Sequence, residues 1–289
     1  MNVPFLREDA LKPGEVEQVA PGVRRILCNN PSAFTFRGTN TYIIGEGDSV
    51  AILDPGPKDM DHLASIAAAL KGETVTHILV SHTHNDHSPG ARSVRAWSGA
   101  KTYGFGPHTP GVEGGDHDFK PDVTVPDGGI IEGKGWRLTA LHTPGHCANH
   151  LCFSLEGTGI LFSADHVMSW STSVVSPPDG NMRDFMKSLA KLRAREGKDT
   201  LYLPGHGPKL PDPMPFLDGL SLHRQKREAR IVAALREHGP AAVAALVGAV
   251  YGPLDPRLVG AAGRSMLAQL IMLEEDGAVS REGEAWRLT

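Results

Sequence analysis

Four residues of metal-ligating type fall within six positions of this chain, in Ser81-His82-Thr83-His84-Asn85-Asp86-His87. Neutral imidazoles and carboxylates are the usual protein donors to divalent transition metals. His82 and His84 are two apart, so in extended backbone they leave the same face. The apolar run 77–80 precedes them directly, and Asp86 and His87 follow where the chain must turn toward a helix. A buried strand therefore delivers four donors to one sheet edge. A polar loop that only caps a helix is the competing reading, but packing supplies no reason for four such residues together.

Three more donors share one context, a run of strand character that ends at the donor. Residues 138–141 lead through His142-Thr143-Pro144-Gly145 to His146, residues 160–162 lead to Asp165, and residues 201–203 lead through Pro204-Gly205 to His206. Pro-Gly before a histidine makes a tight turn that lifts the imidazole clear of the strand. Each of the three alone reads equally well as a turn histidine or a helix-capping aspartate. With the first cluster they make seven donors.

The elements that must hold these donors follow from periodicity. Runs at 23–27, 41–44, 50–53, 76–80, 136–141, 151–155, 159–162 and 200–203 read as strands, and 61–70, 88–97 and 181–196 as helices. Many strands with interspersed helices point to a layered sheet protein rather than a regular βαβ array. Residues 207–215 carry four prolines in nine positions and read as a connector. Beyond it come helices at 221–237, 241–250 and 256–275, then a hairpin of 278–280 with 285–288. Three helices followed by a hairpin is the layout of a winged helix. The expected division is 1–215 and 216–289.

His-x-His-x-Asp-His at 82–87, Thr-Pro-Gly-His at 143–146, Ser-Ala-Asp at 163–165 and Pro-Gly-His-Gly-Pro at 204–208 resemble the metallo-β-lactamase superfamily. The match in order and spacing extends over most of residues 20–210. The resemblance implies an α/β protein, a four-layer αββα sandwich, with a small winged-helix-like domain after it. It implies that His82, His84 and His146 bind one metal, that Asp86, His87 and His206 bind a second, and that Asp165 bridges both. The metals it implies are two Zn2+, with iron or manganese as alternatives. True zinc β-lactamases lack the bridging carboxylate, so antibiotic hydrolysis is disfavoured. The stretch 37–42 (RGTNTY) and Leu53-Asp54-Pro55-Gly56 resemble the opening strands of the beta-lactamase-like protein 2 group. The tail from His223 onward resembles that group's winged-helix extension. Some members of the group are described as single-strand-selective endoribonucleases, others only as hydrolases. Residues 166–180 depart from it, where relatives differ in substrate contacts.

The chemistry implied is hydrolysis. Two metals roughly 3.5–4 Å apart can share a hydroxide that attacks an ester, thioester or phosphodiester, and they stabilise the charge that develops on the substrate oxygen. Asp86, as ligand and hydrogen-bond acceptor, and Asp165, as spacer, are the catalytic candidates. Ligand imidazoles need an acceptor on their other nitrogen. Asp54 and His142 are candidates for that supporting role, and each reads also as a plain turn or structural residue. His166, Trp170, Ser171 and Thr172 are candidates for substrate contact. A tryptophan there could stack on a base or an acyl chain; filling a gap beneath its loop is the alternative.

Composition bounds the partners. The net charge is −4; residues 1–215 hold 20 Lys+Arg and 24 Asp+Glu, and residues 216–289 hold nine of each. Neither part is a basic nucleic-acid-binding domain by bulk charge. Arg224, Lys226, Arg227 and Arg230 read as a solvated helix face or, should that helix pack beside the metal cleft, as a guide for an anionic substrate. Three cysteines without a Cys-x-x-Cys fit a reducing compartment. No apolar stretch reaches the ~20 residues that a bilayer requires, and the first residues show no basic-then-apolar leader. The expectation is a cytoplasmic binuclear zinc hydrolase acting on a small ester or thioester or on single-stranded RNA, with room for a homodimer. A mononuclear iron dioxygenase on the same fold is the alternative. A non-enzymatic winged-helix binding protein fits the seven intact donors least.

Overall fold

The computed structural model describes residues 3–289. A first sheet runs in the spatial order β1 (Val16–Ala20), β2 (Val23–Leu27), β3 (Asn40–Glu46), β4 (Ser49–Leu53), β5 (Val75–Leu79), β6 (Lys101–Gly104) and β7 (Val123–Thr124). It is antiparallel as far as β4 and parallel beyond it. The helices α1 (Met60–Ala69) and α2 (Gly90–Ser98) make its first two parallel crossovers, and a loop makes the third, from β6 to β7. A second sheet contains β8 (Ile130–Gly133), β9 (Trp136–His142), β10 (Leu151–Leu155), β11 (Ile160–Ala164), β12 (Leu201–Pro204) and β13 (Leu210–Pro211). There α3 (Met182–Arg193) crosses between the parallel pair β11 and β12.

Strand alternation makes this a four-layer αββα sandwich. Tyr42 and Ile44 of β3 and Ala51 and Leu53 of β4 turn inward onto Leu138, Ala140, Phe153 and Phe162 of the second sheet. Their neighbours Ile43, Val50 and Ile52 turn outward under Leu63 and Ile66 of α1 and Val94 of α2. On the other side Leu141, Cys152, Leu161 and Tyr202 are covered by Leu189 and Leu192 of α3. Phe216, Leu217 and Leu220 of α4 (Pro213–His238) complete that cover. A period of two facing apolar helices on one side and an apolar sheet on the other fixes which residues face which layer.

The tail is a separate core around α4, β14 (Ala241–Ala242), α5 (Val243–Tyr251), α6 (Pro256–Glu275), β15 (Val279–Glu282) and β16 (Ala285–Leu288). Ile231, Leu235, Leu246, Val250, Met266, Leu270 and Trp286 fill it. Two expectations need correction. Residues 207–215 are not a free connector: Leu210 and Pro211 pair with β12, and Pro213 opens α4. Proline in a first helical turn forfeits only an N–H that has no intrahelical acceptor, so Pro213 and Pro215 start the helix that they were read as preventing. That helix begins eight residues before 221 and passes the expected division at 215/216 without a break. The short strands β1, β6, β7, β8 and β13 were also not read from the sequence.

Candidate metal centre

The donors collect where parallel strands end. Asp54 follows β4, the 82–87 segment follows β5, Asp165 follows β11 and His206 follows β12, while His146 comes from the β9–β10 loop. Ligands in α/β sheets gather at such carboxyl edges because the chain must leave the sheet there. Two of these exits are sharp. Asp54 has φ 50° and Ala164 has φ 43°, left-handed values that cost a residue with a side chain on the order of 1–3 kcal/mol. Both turn a donor or its support away from its strand. At β12 the glycine before His206 serves close approach: a Cβ on Gly205 would press into Asp165 Oδ1 and lie 2.8 Å from His87 Cε1. The two sheets are tied at this same edge, where Asn40 Nδ2 donates to the carbonyls of Pro204 and Gly207, each at 2.9 Å.

The seven expected donors come together as two triads with one carboxylate between them. His82, His84 and His146 each offer a nitrogen to one point, and Asp86, His87 and His206 offer theirs to another. In the first triad, His84 Nδ1 lies 2.9 Å from both His82 Nε2 and His146 Nε2. In the second, His206 Nε2 lies 3.3 Å from His87 Nε2 and 3.2 Å from Asp86 Oδ2. Asp165 faces both: Oδ2 is 3.4 Å from His206 and 3.7 Å from His146, and Oδ1 is 3.5 Å from His87.

The far nitrogens of His87, His146 and His206 are anchored, which fixes those ring planes and leaves the inner nitrogens as donors. His87 Nδ1 donates to Asp54 Oδ2 (3.0 Å), His146 Nδ1 to the Val174 carbonyl (2.6 Å) and His206 Nδ1 to the Gly38 carbonyl (3.1 Å). Asp54 is itself held by the Ser81 amide and hydroxyl, at 2.7 and 2.6 Å. Below the site, His150 is buried with both nitrogens engaged. Its Nδ1 meets Thr143, and its Nε2 accepts the Asp165 amide at 3.2 Å.

The electrostatics test whether this set fits metals. Burial alone would raise the Asp165 carboxyl, yet the His206 and His87 imidazoles outweigh it and hold it well below the usual carboxylate range. Asp86 is held low in the same balance by His87 and His206. Burial pulls His206 down, but Asp165 and Asp86 together push it up to about 9; His87 is raised by Asp86 and Asp165. In the first triad burial and the neighbouring rings keep His82 and His84 neutral, His84 down at about 3. Two ionised carboxylates are thus balanced only by protons placed on ligand-type rings. Asp165 Oδ1 is buried without a hydrogen-bond donor. Two neutral imidazoles beside His146, two carboxylates seeking cations and an orphaned carboxylate oxygen between the groups match what divalent metals require.

Two of the candidates named from the sequence sit elsewhere. His142 does not orient His146: it bonds the Ala148 carbonyl at 2.8 Å and stacks on Phe105 at 3.9 Å. His146 takes a backbone carbonyl instead. His166 makes no wall of the cavity above the donors; it is fully buried at 4.6 Å from the Phe185 ring. Trp170, Ser171 and Thr172 do line that cavity, about 960 Å³ in volume, and Trp170 also fills space by stacking on Phe36 at 5.0 Å. The basic run is not all solvated, since Arg224 and Arg227 face the cavity. The cavity wall from α4 and α6 was missed, because only docking of the tail sets which helix face looks inward. The three cysteines are buried and free. Cys147, beside His146, belongs to neither group of donors, and burial pushes its thiol well up.

Known proteins agree with this architecture. Residues 34–206 match the metallo-beta-lactamase superfamily and residues 242–286 match the beta-lactamase associated winged helix domain. The chain is 30% identical to the lactamase-like protein notP of Aspergillus sp. (strain MF297-2), over 93% of this chain and 85% of that one. It is also 30% identical to the atrochrysone carboxyl ACP thioesterase AgnL7 of Paecilomyces divaricatus, over 92% and 84%. Its fold superposes on a beta-lactamase domain protein from Burkholderia ambifaria with a TM-score of 0.84 at 21% identity, covering 100% of this chain and 97% of the other. The chain belongs to the metallo-β-lactamase superfamily, as a metal-dependent hydrolase that carries the family's associated winged helix domain at its C-terminal end.

Proposed function

We propose that the protein is a binuclear zinc thioesterase that hydrolyses an acyl thioester. His82, His84 and His146 would hold one Zn2+, Asp86, His87 and His206 the second, and Asp165 would join them. The observation that carries this reading is the position of Asp165, with one oxygen toward His146 and His206 and the other toward His87. A site for a single metal has no use for a carboxylate shared between two complete triads. The relatives named as acyl carrier thioesterases support a thioester. A cavity of about 960 Å³ is of the size that small-molecule ligands occupy.

Bound metals would supply Lewis acidity, making a water nucleophilic near neutral pH and stabilising charge on the attacked carbonyl. The chain's own residues do the positioning. Asp54 and the Gly38 and Val174 carbonyls hold the ring planes. Asp86, partly open to the cavity, can accept a hydrogen bond from the nucleophilic water. Trp170, Ser171 and Thr172 flank the space for the acyl group. Residues 1–215 would make the chemical unit, and 216–289 would close one side of it.

The test is elemental analysis of zinc-reconstituted protein, followed by a panel of acyl thioester, lactone, phosphodiester and single-stranded RNA substrates. Close to two zinc ions per chain and turnover of the thioester are expected. A single iron with oxygen-dependent activity would replace this reading with the dioxygenase. RNA cleavage by the wild type but not by an identically purified Asp165→Ser protein, without thioester turnover, would replace it with the nuclease.

A further inference from the structure

The tail does more than attach to the sandwich. Helices α4 and α6 form one side of the cavity over the donors and bring Arg224, Arg227 and Arg264 to it. Only two arginines are buried among the described residues, Arg25 and Arg224. Arg25 follows the ordinary rule for a buried charge and pairs with Asp9 and Glu17, each at 2.8 Å. Arg224 has no carboxylate partner among the described residues. It donates to the Ser173 carbonyl, its guanidinium lies 5.0 Å from the Phe185 ring centroid, and its Nε has no acceptor.

The neighbours of Arg224 increase the positive charge. Arg227 follows three positions later on α4, with its guanidinium stacked 3.6 Å from the Tyr251 ring. Arg264 comes from α6 and is exposed to the cavity without an ion pair among the described residues. Burial lowers Arg224 to about 10, with Tyr251 opposing and Arg227 adding to the fall, so it remains a cation at neutral pH. His223 beside them is driven down to about 4 by burial and the surrounding arginines, so it adds no charge. Two carboxylates outside the metal centre also reach the cavity, Glu113 and Asp179, from the loops 105–117 and 176–181. Asp179 is engaged by the Thr109 hydroxyl. Neither pairs with the three arginines.

Resting on the thioesterase reading above, we propose that this wall is an anion subsite. Arg224, Arg227 and Arg264 receive an oxyanion, a carboxylate or phosphate, that the substrate carries away from its scissile carbonyl. The guanidinium fork matches either group, and charge-assisted bonds to it are the strong ones. Stacking on Phe185 and Tyr251 holds two of the three forks in place, so less side-chain freedom is lost on binding. Lys226 and Arg230 point to solvent on the same helix. The inward charge is therefore a confined cluster suited to one acidic group, not a track for a polyanion.

Three thioesters separate the cases: acetyl-N-acetylcysteamine, which is neutral; succinyl-N-acetylcysteamine, acidic on the acyl side; and acetyl-4′-phosphopantetheine, acidic on the thiol side. With zinc-loaded protein, at least one acidic substrate should have a KM roughly tenfold below the neutral one. Which one it is identifies where the acid sits. In an Arg227→Gln/Arg264→Gln protein the acidic-to-neutral ratio of kcat/KM should fall by about the same factor. Lys226→Gln, at a solvent-facing position, should leave that ratio unchanged. Arg224→Lys keeps the buried charge but not the fork, and should lower the ratio without unfolding the site. Calorimetry with thioether analogues of the three compounds measures binding apart from turnover. Equal KM values and equal analogue affinities, unmoved by the double substitution, would overturn the subsite and leave the hydrolase intact. If no thioester is turned over, the thioesterase reading fails. The analogues then decide the subsite alone: tighter binding of an acidic analogue, lost in the double variant, supports it, and equal binding removes it.

Discussion

Asp165 concentrates the problem that the whole site solves. It is buried, it keeps its charge, and one of its oxygens has no donor. Replacing it by serine removes the carboxylate that faces both groups of donors and that would separate the two proposed metals. Turnover should drop by at least about a hundredfold, a loss already reached by mutating outer partners of a metal site. Because the residue ends a strand and does not fill the core, the circular dichroism spectrum and melting profile should stay near wild type. Asp54 makes a finer test. Asp54→Asn keeps an acceptor for the Ser81 amide but turns an N–H toward His87. The His87 ring then loses its orientation, and the Asp86–His87–His206 triad should lose metal first, moving zinc content from two toward one. The metal-free protein carries a further signature. His206 is raised to about 9 by Asp165 and Asp86 against burial. A raised pKa means that the ring holds its proton below about 9 and gives it up above. A metal entering at pH 7 must displace that proton. Zinc titrations at pH 7 in buffers of different ionisation enthalpy should report proton release, and the share from His206 should fall away as pH rises through 9 while that from His87, also raised, adds to it. A buffer-independent heat at pH 7 would mean that the imidazole is already neutral.

At the level of elements, each donor is set by how a strand stops. β12 illustrates it, since Gly205 lets Asp165 and His87 come up against backbone. Gly205→Ala forces one of them away. It should cost about 1–3 kcal/mol in overall stability, as overpacking does, and cost zinc affinity besides; denaturant melts with and without chelator separate the two. The seven donors and most central strands were legible because residue type and apolar periodicity both carry signal. Other parts were not. The acceptors from Gly38 and Val174 are backbone carbonyls, which no residue type announces. β7 and β13 are two residues long and β6 and β8 four, with polar or glycine positions, so a period of two has nothing to show in them. Pro213 and Pro215 suggest a connector by proline's usual effect inside helices, and they sit in the first turn of α4, where that effect is absent. The basic run on α4 looked like a solvated face because helical phase in the sequence is relative. Only the docking of Phe216, Leu217 and Leu220 onto the second sheet decides that Arg224 turns inward.

Across the molecule, α4 belongs to two cores at once. Its first turns seal the second sheet, and its last turns enter the winged helix through Ile231, Ala234 and Leu235. A second seam lies at Ala268 of α6, packed with Val175, Met182 and Phe185. Val175 follows the residue whose carbonyl anchors His146, and its amide donates to Ser265 of α6 at 3.3 Å. Gln269 donates to the Arg224 carbonyl at 3.0 Å. The tail therefore clamps the segment that anchors His146 while it walls the cavity. Ala268→Glu tests this coupling, because it buries an unpaired carboxylate in the seam, a penalty of roughly 3–5 kcal/mol when it cannot be relieved. The winged helix has its own core and should remain folded, so the cheapest relief is to swing away from the seam. Limited proteolysis should then cut within α4 between Leu220 and Ile231, where the helix passes from one core to the other. The seam also steadies the Val174 carbonyl that anchors His146, so zinc should be held more weakly by the His82–His84–His146 group than by Asp86–His87–His206. Hydrolysis of an acidic thioester should fall further than hydrolysis of a neutral one, because the arginine wall leaves with the tail. If cleavage shows the tail released while both substrates are turned over at the wild-type rate, residues 1–215 act alone and the winged helix serves some purpose outside this cavity.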